Sequence, residues 1–139
     1  MCDLTIKLNK ESVTGYKVVA KHIPTGDYYS IAIGFKYKSP MNFHPRKRQK
    51  TIADYWNPVL KRSNQFHSYH MTTRTGCFKS FDKASKFAQI VSLRPDYRVA
   101  ILKVRLTNDL MSGDYYYGAY AQSRSAVYAG HTMEIIEEM

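Results

Sequence analysis

Carboxylates are almost missing from the middle of this chain. Between Tyr28 and Phe81 there is one acid, Asp54, in 54 residues. Long apolar runs are missing as well: none approaches the ~20 residues a helix needs to cross a bilayer, so no membrane partner is expected. Only two cysteines occur, Cys2 and Cys77, far apart in sequence. That argues against a disulfide framework, and reduced thiols fit a cytosolic setting. The seven glycines are spread singly, leaving no glycine-rich loop to cradle a phosphate. Paired carboxylates are scarce too. Glu134, Glu137 and Glu138 cluster at the C-terminal end and Asp109 and Asp114 flank a turn, so nothing marks two carboxylates sharing a cleft. The opening Met1-Cys2-Asp3-Leu4 sets an acid where a signal peptide carries positive charge, and no apolar stretch follows, so the chain is expected in the cytoplasm.

What is present is enough for one core. The 139 residues are 44% hydrophobic, with only 5 prolines, which predicts a single folded domain over 1–139. Twelve tyrosines supply broad rings with polar tips, suited to half-buried strands and to binding faces.

The patterning predicts an α+β fold. Asp27–Lys38 alternates Tyr29, Ile31, Ile33, Phe35 and Tyr37 against smaller, more polar positions, the period of a strand. With the β-branched run Tyr16–His22 and the turn residues Pro24-Thr25-Gly26-Asp27, it reads as an antiparallel hairpin. Residues 39–75 show no period, apart from a possible helical turn over Thr51–Leu60 that Pro58 would end, and read as a long basic excursion across the surface. Ser80–Leu93 reads as the main helix: Ser80 is a candidate N-cap, Asp82 lies in the first turn, and Phe81, Ala84, Phe87, Ala88 and Val91 form one apolar stripe. Arg94-Pro95 would end it. Tyr97–Leu106 reads as an interior strand, apolar on both faces at its centre. Tyr115–Ala121 and Ser125–Ile136 read as two more strands after a turn at Asn108–Asp114. The expected architecture is a small antiparallel β-sheet with one main helix, about 80–93, packed on one face and a basic excursion over about 39–75.

Charge carries the functional signal. Lys36, Lys38, Arg46, Lys47, Arg48, Lys50, Lys61, Arg62, Arg74 and Lys79 stand against Asp54 alone, so residues 28–81 hold +9 of the chain's +10. A potential of one sign concentrates anionic partners and speeds encounter. Arg46, Lys47, Arg48 and Lys50 are the leading phosphate contacts, supported by Lys36, Lys38, Lys61, Arg62 and Arg74. Tyr55, Trp56 and Tyr69 lie among them as candidate stacking rings, the pairing of cation and ring that a sequence-tolerant nucleic-acid or nucleotide site uses. A solvated basic loop with its rings in the core is the competing reading.

Other chemistry is weaker. His67, His70 and Cys77 offer three metal-type donors without paired Cys-x-x-Cys spacing, so no metal or other cofactor is assigned. His22, His44 and His131 have no partner legible in the sequence. Cys77 precedes a helix start, where a thiol can be activated, but Phe78 beside it equally suits a core position. In Asp114–Tyr120, Tyr115 and Tyr117 would share one strand face and Tyr116 and Tyr120 the other, one set core and one an aromatic shelf. No catalytic residues are assigned.

Gly15-Tyr16-Lys17-Val18-Val19, Gly76-Cys77-Phe78-Lys79-Ser80-Phe81 with Ala84, Val99-Ala100-Ile101-Leu102-Lys103-Val104 and the closing Met133-Glu134-Ile135-Ile136-Glu137-Glu138 together resemble a loose group of small bacteriophage-encoded accessory proteins of unknown function. The resemblance implies a short helix entered through a glycine–aromatic step, followed by a valine-rich strand. It also implies a protein that acts in the host cytoplasm by binding or blocking a host enzyme, nucleic acid or defence signal. The reading that joins charge and resemblance is a binding protein for a polyanion: nucleic acid, a nucleotide signal, or a host enzyme that handles them. The alternatives are a protein–protein inhibitor using exposed Tyr, Trp and Arg, and a nucleotide-modifying transferase.

Overall fold

Long antiparallel strands, folded into a curled half-barrel sheet, position everything else in the molecule. The computed structural model describes residues 2–31, 35–43, 73–117 and 123–139. They form β1 (Cys2–Lys7), β2 (Ser12–His22), β3 (Tyr28–Tyr29), β4 (Met41–Asn42), β5 (Thr75–Phe78), α1 (Phe81–Gln89), β6 (Tyr97–Thr107), β7 (Met111–Tyr117), β8 (Ser123–Gly130) and β9 (Thr132–Glu138). The sheet order is β1-β7-β8-β5-β2-β6-β9-β4, with β3 beside β2. β2 is the axis of the fold. One edge pairs with β6 over its full length, from Ser12↔Thr107 to His22↔Tyr97, while the other is shared by β5 at Tyr16 and β3 at Ala20 and Lys21.

The sheet buries both faces because β6 is apolar on both, as its sequence requires. On one face Phe78, Ala84, Phe87, Val127 and Ala129 form a cluster with Ile101 packed against it. There α1 meets the sheet: the Phe87 ring lies 5.2 Å from that of Phe78 and 5.6 Å from that of Tyr115. On the other face Ala100, Leu102, Val104 and Leu106 of β6 pack with Phe35, Tyr37, Phe43, Cys77 and Met133. The helix starts as its sequence dictates, with the Ser80 hydroxyl accepting from the Lys83 amide at 3.2 Å. It ends at Ile90 rather than Leu93, because the Ile90 and Val91 amides turn back to Phe87 and Ala88 and close the last turn tightly. Phe81, on the expected stripe, is 44% exposed and meets Tyr16 edge-on.

Several elements differ from the sequence reading. The run Asp27–Lys38 is not one strand. Its first arm pairs with β2 as expected, but the Ser30 amide then donates to Phe35, the Tyr37 amide donates to Tyr28, and Tyr29 bridges Lys36 antiparallel. The run is therefore a second hairpin, folded on itself. Alternation survived the fold-back because Ile31, Phe35 and Tyr37 are still buried, though in two different cores. Ser125–Ile136 is likewise two strands that are not neighbours, broken at His131. β7 begins at Met111, inside the expected turn, which shrinks to Asn108–Leu110. Asn108 and Asp109 there take φ of 62° and 50°, a left-handed conformation that short polar side chains tolerate. β1 and β5 were not anticipated. β5 is four residues with Gly76 inside it, too short to show a period. Both ends of the expected 39–75 excursion belong to the sheet instead: Met41–Asn42 pairs with β9, and Thr75 is in β5, while residues 44–72 lie outside the described residues. Thr51–Leu60 lies outside the described residues.

Candidate functional site

The two stems of the basic segment meet at one residue. Phe43, fully buried, donates its amide to the backbone oxygen of His131 at 2.8 Å. The ring nitrogen Nδ1 of His131 lies 3.1 Å from the backbone oxygen of Thr73. A carbonyl can only accept, so Nδ1 carries the proton. The amide of His131 in turn donates to Asn108 at 2.9 Å, and Arg74 Nε donates to the Asp109 carbonyl at 2.7 Å. Thr132 Oγ1 completes the junction, accepting from Asn108 Nδ2 at 3.0 Å and donating to Asn42 Oδ1 at 2.8 Å. Residues 44–72 thus leave and rejoin the sheet where the β8–β9 and β6–β7 connections come together. His131, which had no partner legible in the sequence, is the residue that joins them.

Of the anion-binding positions predicted from sequence, three are described. Lys36 pairs with Asp27 at 3.3 Å, both partly exposed; Lys38 is exposed; Arg74 is half-buried at the stem junction. Arg46, Lys47, Arg48, Lys50, Lys61 and Arg62, with Tyr55, Trp56 and Tyr69, lie outside the described residues, as do His67 and His70. The structure therefore brings Arg74 to the base of the segment, with Lys36 and Lys38 on the hairpin that leads into it.

Elsewhere on the frame, carboxylates are engaged by basic side chains. Glu138 Oε1 accepts from Lys21 Nζ and Tyr28 Oη, each at 2.8 Å, and Oε2 accepts from Arg98 at 2.7 Å. Those donors, the Arg98 guanidinium first, pull the Glu138 carboxyl down to about 2. Burial, with the Glu138 carboxylate beside it, pushes the Tyr28 hydroxyl up. Asp82 pairs with Lys86 at 3.3 Å, Asp114 with Arg124 at 3.6 Å and Glu134 with Arg105 at 3.7 Å. Asp96 faces His22 Nε2 at 3.6 Å, while Nδ1 of the same ring meets Thr25 Oγ1 at 2.8 Å and so anchors the β2–β3 turn. The Tyr97 hydroxyl is pushed up by its burial and by Asp96.

Cys77 settles against a reactive thiol. It is buried in an apolar cluster, and burial pushes its thiol up to about 12, so it keeps its proton at neutral pH. Gly15 allows this placement, since a Cβ there would meet the Cys77 sulfur and lie 2.6 Å from the Phe78 carbonyl. Among the described residues, no group of three His, Cys, Asp or Glu is placed to hold a metal, and no helix is long and apolar enough to cross a membrane.

No protein-family model, curated protein or solved structure matches this chain. The tyrosine run sorts as its alternation requires: Tyr115 packs on Phe78 and Phe87, while the half-buried Tyr116, next along β7, belongs to the opposite face. What sequence reasoning missed are the convergences at His131 and Glu138, whose partners come from distant strands and leave no local signal.

Proposed function

We propose that this chain is a phage-type accessory protein that binds a polyanionic partner through its middle basic segment and acts by binding rather than by catalysis. The observation that carries the reading is where the carboxylates are used. Asp82, Asp96, Asp114, Glu134 and Glu138 each face a basic group that lies outside residues 28–81. Asp27 at Lys36 is the exception among the described pairs; the other acids, spent in this way, leave most of the +9 of residues 28–81 without counter-charge from the frame, and such a field draws and orients an anion. The shared stem at His131 supports it, because it gathers both ends of the segment at one place on the frame. Phosphates would be met by Arg46, Lys47, Arg48 and Lys50, with Lys61, Arg62 and Arg74 in support and Tyr55 and Trp56 as stacking rings.

Titration of labelled oligonucleotides over a range of salt concentrations tests this. Affinity is expected to fall steeply with salt, and a quadruple Arg46/Lys47/Arg48/Lys50→Ala variant is expected to flatten the slope of log K against log salt by roughly 3. An unchanged slope in that variant would rule the segment out as the anion contact.

A further inference from the structure

On the face away from α1, two lysines carry their charge with no carboxylate partner among the described residues. Lys17 Nζ donates to the Gly76 carbonyl at 2.6 Å and stands 5.3 Å from the centre of the Tyr37 ring. Lys79 Nζ stands 4.7 Å over the ring of Tyr128. Neither pairs with an acid among the described residues. Lys21 and Arg98, on the same face further along β2 and β6, are both closed by Glu138. A carbonyl or a ring holds an ammonium in place without cancelling it, and at the half-buried Lys17 that charge is screened less than on open surface.

The strand registers set these groups side by side. Cys77 pairs with Tyr128, and the pairing of Tyr16 with Phe78 puts Lys17 next to Cys77. Lys79 extends the same ladder by donating its amide to Ala126 at 3.1 Å, and its side chain lies on the Tyr128 side. One strand further, Ser112 pairs with Tyr128 and Tyr116 with Arg124, so by the two-residue period Tyr116 shares that face. The result is two ammonium groups among half-buried rings on one curved sheet face. The stems of the basic segment belong to that face too: Phe43 is buried in its core, and Thr75 precedes Cys77 in the alternation of β5.

From this arrangement we infer that the face is a subsite for single-stranded nucleic acid: Lys17 and Lys79 take backbone phosphates, and the Tyr128 ring, with Tyr116 beside it, takes unpaired bases. The inference rests on the polyanion reading and narrows its substrate class. A ring set on a strand can meet a base only when that base is unpaired, whereas a duplex offers such a surface phosphates alone.

The test measures binding of labelled oligothymidylate and oligouridylate, the corresponding duplexes, and inorganic polyphosphate, which has charge but no bases. The single strands are expected to bind more tightly than the duplexes. Lys79→Gln, at an exposed side chain, is expected to lower the salt slope for single strands by ~0.7. Tyr128→Leu is expected to weaken them roughly 5- to 100-fold while polyphosphate binding stays unchanged. Duplex binding as tight as single-strand binding, with Lys79→Gln and Tyr128→Leu both silent, would overturn the inference. In that case the polyanion reading stands if the quadruple segment variant still loses polyphosphate. Failure of the unmodified protein to bind either oligonucleotides or polyphosphate would sink both.

Discussion

Glu138 shows how much one side chain can organise. Three donors from β2, β3 and β6 meet its two oxygens, so protonating it disrupts contacts on three strands at once. Its folded pKa lies below its ordinary 4.5, so the stability it contributes is fully present above that value and is lost as pH falls toward about 2. Glu138→Gln is expected to cost about 2 kcal/mol at pH 7, allowing for the partial exposure of the group. It should also remove this group's share of the acid sensitivity between pH 4.5 and 2. Urea midpoints of both proteins at pH 7 and pH 3 check this, and equal losses on acidification would show that the cluster is not coupled to folding. None of it was legible in the sequence, since the partners are 117, 110 and 40 residues away. Ser80, by contrast, was legible because a cap is a local contact across three residues.

At the scale of elements, periodicity told which side chains are buried better than it told where strands stop. β6 was recognised with nearly its true bounds, because an interior strand is apolar on both faces over many residues. The run Asp27–Lys38 kept its alternation through a fold-back, and only the hydrogen bonds of Ser30 and Tyr37 reveal the reversal. The sharp break at His131 between β8 and β9 left no proline or apolar gap to mark it. β1 was hidden because its pairing depends on a single distant residue, Gly113. A Cβ there would collide with the Asp3 carbonyl, so β1 can approach β7 only across a glycine. Gly113→Ala is therefore expected to detach this edge strand at a cost of about 1–3 kcal/mol. Hydrogen exchange should speed up at Leu4 and at Leu8, whose amide is held by Leu110 at 2.8 Å, while β6 amides stay protected. Faster exchange throughout the sheet would mean that β1 is part of the cooperative core instead.

For the molecule as a whole, the sequence conveyed class and charge but not order. An antiparallel sheet with a helix could be expected from patterning, whereas the path β1-β7-β8-β5-β2-β6-β9-β4 depends on long-range pairings that no window of residues contains. The candidate site divides the same way: the charge of the segment is visible in composition, and the stem that gathers its ends is not. Because β6 supplies Ile101 to one core and Leu102 to the other, the two cores are expected to unfold together. Leu102→Ala, at a fully buried position, should cost about 2–5 kcal/mol while far-ultraviolet dichroism and tyrosine fluorescence keep a single coincident transition. Two separated transitions would show that the cores are independent.

The knot of bonds at His131 has a consequence for how such a protein can diversify. Because the chain is pinned just before and just after residues 44–72, the ends stay put whatever lies between them. Doubling the length of a flexible connection adds only ~0.6 kcal/mol of closure entropy. On the proposed polyanion reading, the segment that would meet the partner can therefore gain, lose or exchange residues cheaply, and the scaffold would suit a changing target.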